Sequence, residues 1–262
     1  MREFFSGIFT PDPGVLDGIF ALAVLYGLAV GPGRRFLAPE EKFERRRAVA
    51  FAIAIVILIL AVATPIDHIG ETYLFSVHML QHVILMFALP PFLILAVPPW
   101  LADFLFRTEG LGKLLKIAVK PLVAGVMFNV VLIFWHFPAF YELALRDPLV
   151  HLLEHATFIA VSIAMYWVLM GEDNTVKPAH DGIKILYVLG VSLGQLPLFA
   201  VLTFASHVIY PTYEKAPRYI PDMSALGDQM LGGVIMKLVA AIFMFTGLAV
   251  YFYRWYLSEA RR

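Results

Sequence analysis

Two histidine pairs carry the chemistry that this sequence offers. His78 and His82 sit in the run Ser76–Val77–His78–Met79–Leu80–Gln81–His82, and His151 and His155 repeat the spacing further along. Four residues is close to one helical turn, so both imidazoles of each pair project from one face of a helix. Neutral imidazole binds copper, zinc, iron and nickel, and two such pairs on facing helices supply up to four nitrogens without ordering a loop. The bland alternative is that the histidines are hydrogen-bonded packing groups near a membrane interface. His68, His136 and His207 are further candidate ligands or polar caps, and His180 stands apart. Among the methionines, Met79 and Met230 flank the pairs, and thioether with imidazole suits Cu(I).

The elements that must position these residues are transmembrane helices. Of the 262 residues 60% are hydrophobic and 15% charged, too apolar for a soluble globular chain. Seven segments are long enough to cross a bilayer: about 15–31, 48–64, 73–97, 119–137, 149–170, 183–206 and 229–253. This predicts an all-α, polytopic bundle forming one integral membrane domain over residues 1–262. Residues 15–30 read as a retained first span, not a removed signal peptide. Gly31–Pro32–Gly33, Thr64–Pro65, Pro98–Pro99, Pro138, Pro148, Gly171 and Pro211 punctuate the predicted ends, while Pro90–Pro91 and Pro197 predict kinks inside spans.

Basic residues set the orientation. Arg34, Arg35, Lys42 and Arg45–Arg46–Arg47 fill the first loop, Arg107, Lys113, Lys116 and Lys120 the third, Lys177 and Lys184 the fifth, and Arg254, Arg261 and Arg262 the tail. The alternate loops hold Arg2, Arg146, Lys215 and Arg218. The N-terminus is therefore expected outside and the C-terminus in the cytoplasm. With that orientation every histidine except His180 falls on the outer side, and the two pairs reach similar depth. A site that must release an ion is expected to open toward the outside.

A formal net charge of zero argues against nucleic acid as a partner. The absence of cysteine excludes disulfides and thiolate ligands, so a metal site here uses His, Met, Asp, Glu or backbone. Glu154 precedes His155 and points about 100° away on the helix, so it is expected to serve a neighbouring helix. Lys237, deep in the last span, needs an anionic partner such as Asp228, Glu71 or Glu154, or snorkels to the headgroups. No phosphate-binding loop, dinucleotide fingerprint, serine elbow or His-Glu-x-x-His pair is present.

Several ordered motifs between about residues 50 and 250 carry a family resemblance: His78–Met79–Leu80–Gln81–His82 followed by Leu89–Pro90–Pro91–Phe92–Leu93 and Pro98, Trp135–His136–Phe137–Pro138–Ala139–Phe140–Tyr141, His151–Leu152–Leu153–Glu154–His155, and Asp228–Gln229–Met230–Leu231–Gly232–Gly233–Val234–Ile235–Met236. Together they resemble the CtaG family of cytochrome c oxidase assembly factors. The resemblance implies a multi-pass protein of the bacterial plasma membrane, a non-enzyme that helps copper reach a haem–copper oxidase. Lys237 departs from the family pattern, which has an aromatic residue there.

The expectation is thus a metallochaperone that holds copper, as Cu(I), through His78, His82, His151 and His155 and passes it to a cytochrome c oxidase subunit, with other copper-delivery proteins and membrane lipid as partners. Asp228 and Lys237 would tune local charge. Three alternatives stay open: a seven-span zinc hydrolase with three histidines and a water, a bis-histidine haem electron-transfer protein, and a metal-free scaffold. Oligomeric state is not legible.

Overall fold

The structure is a computed structural model that describes residues 13–260; Arg2, Arg261 and Arg262, counted above for orientation, lie outside the described residues. Among the described residues all regular structure is helical. Six stretches are long and apolar enough to span a membrane, and a seventh if a pair bent by 83° counts as one span.

The first helix, α1 (Pro13–Leu28), does not stop at Gly31–Pro32–Gly33 as predicted. It continues through a wider π turn, Ala29–Gly33, into a last turn, Arg34–Leu37. Proline inside a helix lacks an N–H and crowds the carbonyl of the preceding turn, and the wider turn accommodates both. The same device recurs in the third span. There α4 (Phe75–Val83) passes through a π turn, Ile84–Ala88, into α5 (Leu89–Ala96), just ahead of Pro90–Pro91. Between these spans lie α2 (Arg45–Val62) and the short α3 (Pro65–Thr72), which Thr64 caps by accepting from the Ile66 amide.

The fourth span is the bent one. α6 (Pro99–Arg107) and α7 (Leu111–Ala118) are followed across the bend by α8 (Pro121–Trp135). At 1.5 Å per residue α8 covers about 22 Å, short of a full hydrocarbon core, so the predicted span 119–137 is replaced by a broken one. The short α9 (Pro138–Ala144) leads to α10 (Pro148–Met170), capped by Asp147. In the sixth span α11 (Asp181–Gly194) breaks at Gln195, ahead of Pro197, before α12 (Leu196–Thr203). A loop containing α13 (Pro211–Lys215) precedes the long α14 (Ala225–Glu259).

α4, α8, α10, α11 and α14 enclose the principal core, in which Phe75, Met79, Phe128, Phe158 and Met165 are fully buried. α4 packs on α14, α10 packs on α8, α5 and the π turn before α5, and α3 lies on α4. Two close approaches explain Gly232–Gly233. A Cβ on Gly232 would lie 2.5 Å from the Phe75 ring, and one on Gly233 2.9 Å from the backbone nitrogen of Thr203. Only glycine lets α14 seat this tightly against α4 and α12.

Candidate metal centre

His78 and His82 lie on α4, and His151 and His155 on the first turns of α10. All four are buried, the α4 pair completely. The rings of each pair meet edge-on or tilted at 4.3 Å (His78–His82) and 4.1 Å (His151–His155), and across the helices His78 lies 5.5 Å from His151 and His82 5.5 Å from His155, centroid to centroid. Each residue offers one nitrogen, and the four nitrogens lie within 4.8 Å of one another. A tetrahedral ion with bonds of about 2.0–2.1 Å keeps its ligands about 3.3 Å apart, so modest side-chain rotations close the set.

The Nε2 atoms of all four histidines are buried without a hydrogen-bond partner among the described residues. Buried polar atoms are seldom orphaned, and four converging lone pairs are an unusual way to pack imidazole. The Nδ1 atoms of His151 and His78 are held from outside, whereas His82 Nδ1 has no hydrogen-bond partner among the described residues. His151 Nδ1 is 2.6 Å from Glu71 Oε1, a carboxylate that only accepts, so this nitrogen donates and Nε2 keeps its lone pair.

At His78 the same result follows from a three-cornered network. The hydroxyls of Tyr213 and Tyr141 lie 2.9 and 2.8 Å from His78 Nδ1 and 2.9 Å from each other, and Tyr213 donates to the Gly70 carbonyl at 2.9 Å. With the Tyr213 proton committed to Gly70, the Tyr141 proton fills the contact between the two oxygens, which leaves Nδ1–H of His78 as donor. Its Nε2 is then a free acceptor turned toward the cluster. Outer hydrogen bonds that fix the tautomer in this way are characteristic of imidazole metal ligands.

Glu154 reaches across to α4, the neighbouring helix that it was expected to serve. Its carboxylate is fully buried, and Oε1 lies 3.8 Å from His82 Nε2, with neither oxygen hydrogen-bonded. Glu154 is 100° from His155 but only about 60° from His151, three residues back, so the two straddle His151 and both reach the cluster. An uncompensated carboxylate inside a protein is costly, and a cation beside His82 would balance it.

His136 borders the cluster, its ring 5.6 Å from that of His82. Its Nδ1 donates to the Leu132 carbonyl at 2.8 Å, and Nε2 lies 3.3 Å from Met79 Sδ. Of the two methionines expected beside the pairs, Met79 lies there, whereas Met230 is 37% exposed and outside the core. His68 meets Tyr73 edge-on, His207 is exposed beside Ser206, and His180 caps α11 by accepting from the Gly182 amide.

The charge-tuning roles expected for Asp228 and Lys237 do not match the geometry. Both Asp228 oxygens accept backbone amides, from Phe75 at 2.7 Å and Ser76 at 3.2 Å, so this residue caps α4 and fixes the axial height of His78. Lys237 sits over the Phe199 ring at 5.7 Å, on the lipid-side crevice between α12 and α14. Among the described residues the cluster is covered on the side where an opening was expected. Gly70 lets α3 lie on α4, a Cβ there falling 3.0 Å from His78 Cα, and Tyr141, Tyr210 and Tyr213 fill the rest. Glu71, whose side chain is 35% exposed, marks the rim. Sequence reasoning missed Tyr213 entirely, because nothing in its local sequence links it to α4.

No curated protein and no solved structure matches the chain. A family model described as the cytochrome c oxidase caa3 assembly factor, Caa3_CtaG, matches residues 24–258. The matched stretch includes every residue of the histidine cluster, and the chain belongs to the family of cytochrome c oxidase caa3 assembly factors.

Proposed function

We propose that the protein takes up copper as cargo at His78, His82, His151 and His155 and hands it to a subunit of a haem–copper oxidase within the bacterial plasma membrane. The observation that carries this reading is the convergence of four buried histidines whose Nε2 atoms have no hydrogen-bond partner among the described residues. Family membership supplies the destination, and the absence of cysteine leaves imidazole and thioether as the soft donors. Met79 and His136 extend the donor set beside His82. By the basic-residue asymmetry the cluster faces the outer leaflet, with Glu71 the first anionic group on the way in. Transfer requires movement of the α3 and tyrosine cover, since the site is closed. The kinks at Pro90–Pro91 and Pro197 give the spans room for that rearrangement.

One rival has a specific observation behind it. Glu154 beside His82 is placed as a general base would be in a zinc hydrolase. A haem reading fits less well, because the four rings pack directly on one another at 4.1–6.4 Å and leave an ion-sized centre. Metal analysis of the purified native chain beside a His78→Ala/His155→Ala variant separates these readings. Near-stoichiometric copper, lost in the variant, supports cargo binding. Zinc in its place overturns the copper reading in favour of the hydrolase.

A further inference from the structure

At the end of α10 remote from the histidines, about 24 Å along the helix by its rise per residue, four lysines line one cavity of about 180 Å³: Lys116, Lys120, Lys177 and Lys184. The single acidic residue in the wall, Asp173, is already committed. Its Oδ2 accepts from Trp167 Nε1 at 3.1 Å, and Oδ1 accepts the amides of Thr175 at 2.9 Å and Val176 at 2.5 Å. Asp103 fastens the same loop from α6, accepting from Asn174 and the Thr175 hydroxyl. Lys184 is buried, donating to the Leu169 carbonyl at 2.6 Å and lying over the Tyr251 ring. Lys116, Lys120 and Lys177 form no ion pair with any described residue. The pocket therefore gathers four lysines around one carboxylate, Asp173, whose oxygens are engaged by Trp167 and its own loop.

An apolar groove of about 540 Å³ adjoins this cup. Pro121 lines both, and from there the groove runs between α8 and α11 past Gly125, Leu186 and Gly190 to Gly194. That stretch is twelve residues of α11, Ile183 to Gly194, whose ends are about 17 Å apart along the helix. A Cβ on Gly190 would meet nothing within 4 Å, so the glycine leaves the groove open. A cationic cup at the headgroup level, with Trp167 in its wall and an acyl-sized apolar groove leading from it into the bilayer, has the two-part chemistry of a phospholipid.

We propose that this pocket and groove bind one anionic phospholipid, its phosphate in the lysine cup and one acyl chain along α8 and α11. Free phosphate shares the headgroup chemistry but has no use for the groove, which is why the lipid is favoured. The site is independent of the metal reading.

The test is native mass spectrometry of the full chain purified in detergent, supplied with phosphatidylglycerol or phosphatidylcholine. The native protein retains one phosphatidylglycerol in preference to phosphatidylcholine. A Lys116→Ala/Lys120→Ala/Lys177→Ala variant loses that preference by about fivefold per lysine removed, and Gly190→Leu, which fills the groove, loses retention with the lysines intact. Thermal unfolding midpoints check that both variants are folded. Equal retention of the two lipids, or unchanged phosphatidylglycerol retention in either folded variant, overturns the proposal. Displacement of the lipid by inorganic phosphate beyond the effect of chloride at matched ionic strength overturns it in favour of a free-anion site.

Discussion

The Tyr213 hydroxyl lies 2.9 Å from Nδ1 of His78, joining residues 135 positions apart in the chain. Through Tyr213 the loop before α14 sets the tautomer of a histidine on α4, and through Gly70 it ties α3 over the same site. The cluster is thus organised from outside by groups that do not touch its centre.

Removing those groups tests the arrangement. Tyr213→Phe takes away both the acceptor of His78 Nδ1–H and the donor to Gly70, and Tyr141→Phe removes the second corner. Each is expected to weaken metal binding by about 10- to 100-fold, read by competition with a chromophoric chelator. Unchanged affinity in the double Tyr→Phe variant would mean that the hydrogen bonds only pack the site.

Gly70→Ala places a methyl group 3.0 Å from the His78 backbone. α3 must then lift from α4, which strains both the Gly70–Tyr213 hydrogen bond and the Glu71–His151 ion pair. Overpacking of this kind costs about 1–3 kcal/mol, measured as a lower unfolding midpoint, and metal uptake becomes faster as the cover loosens. A midpoint at the native value would show that α3 is not pressed on α4.

Glu154→Gln keeps the shape and removes the charge beside His82. Coulomb attraction scales with the charge of the ion, so the variant should lose about twice as much binding free energy for Zn²⁺ as for Cu⁺. Paired titrations of the native and variant chains with the two ions give the ratio. Equal losses would place Glu154 outside the field of the ion.

On the opposite face, burial works to raise the Asp103 carboxyl, but the hydrogen bonds from Asn174 and Thr175, aided by the charge of Arg107, hold it below the usual carboxylate range. A carboxyl depressed in the folded state stabilises above its unfolded value, about 4, and this contribution fades as pH falls through the folded value. The difference in unfolding midpoint between native protein and Asp103→Asn should be full at neutral pH and close below about pH 4. A difference that persists in acid would mean that shape, not charge, fastens the loop.

Much of this was legible because helices impose a period. Two His-x-x-x-His pairs had to face one way on each helix, and an apolar bundle had to carry them. The sequence did not show that α4 and α10 turn those faces toward each other, because nothing local connects helices about 70 residues apart in the chain. It misread Gly31–Pro32–Gly33 as a stop because a π turn absorbs the proline. That Glu154 reaches the cluster itself follows from its offset of about 60° from His151, which its spacing from His155 alone does not show. Asp228 and Tyr213 act across more than 130 residues, on backbone amides and an imidazole that local sequence does not connect to them.

The most direct test is the metal content of the purified native protein beside His78→Ala/His155→Ala, by mass spectrometry with an optical spectrum. About one copper per chain in the native protein, absent from a folded variant, is the expected result. No metal in either sample after copper supplementation, or zinc or haem in copper's place, would contradict a copper-carrying histidine centre.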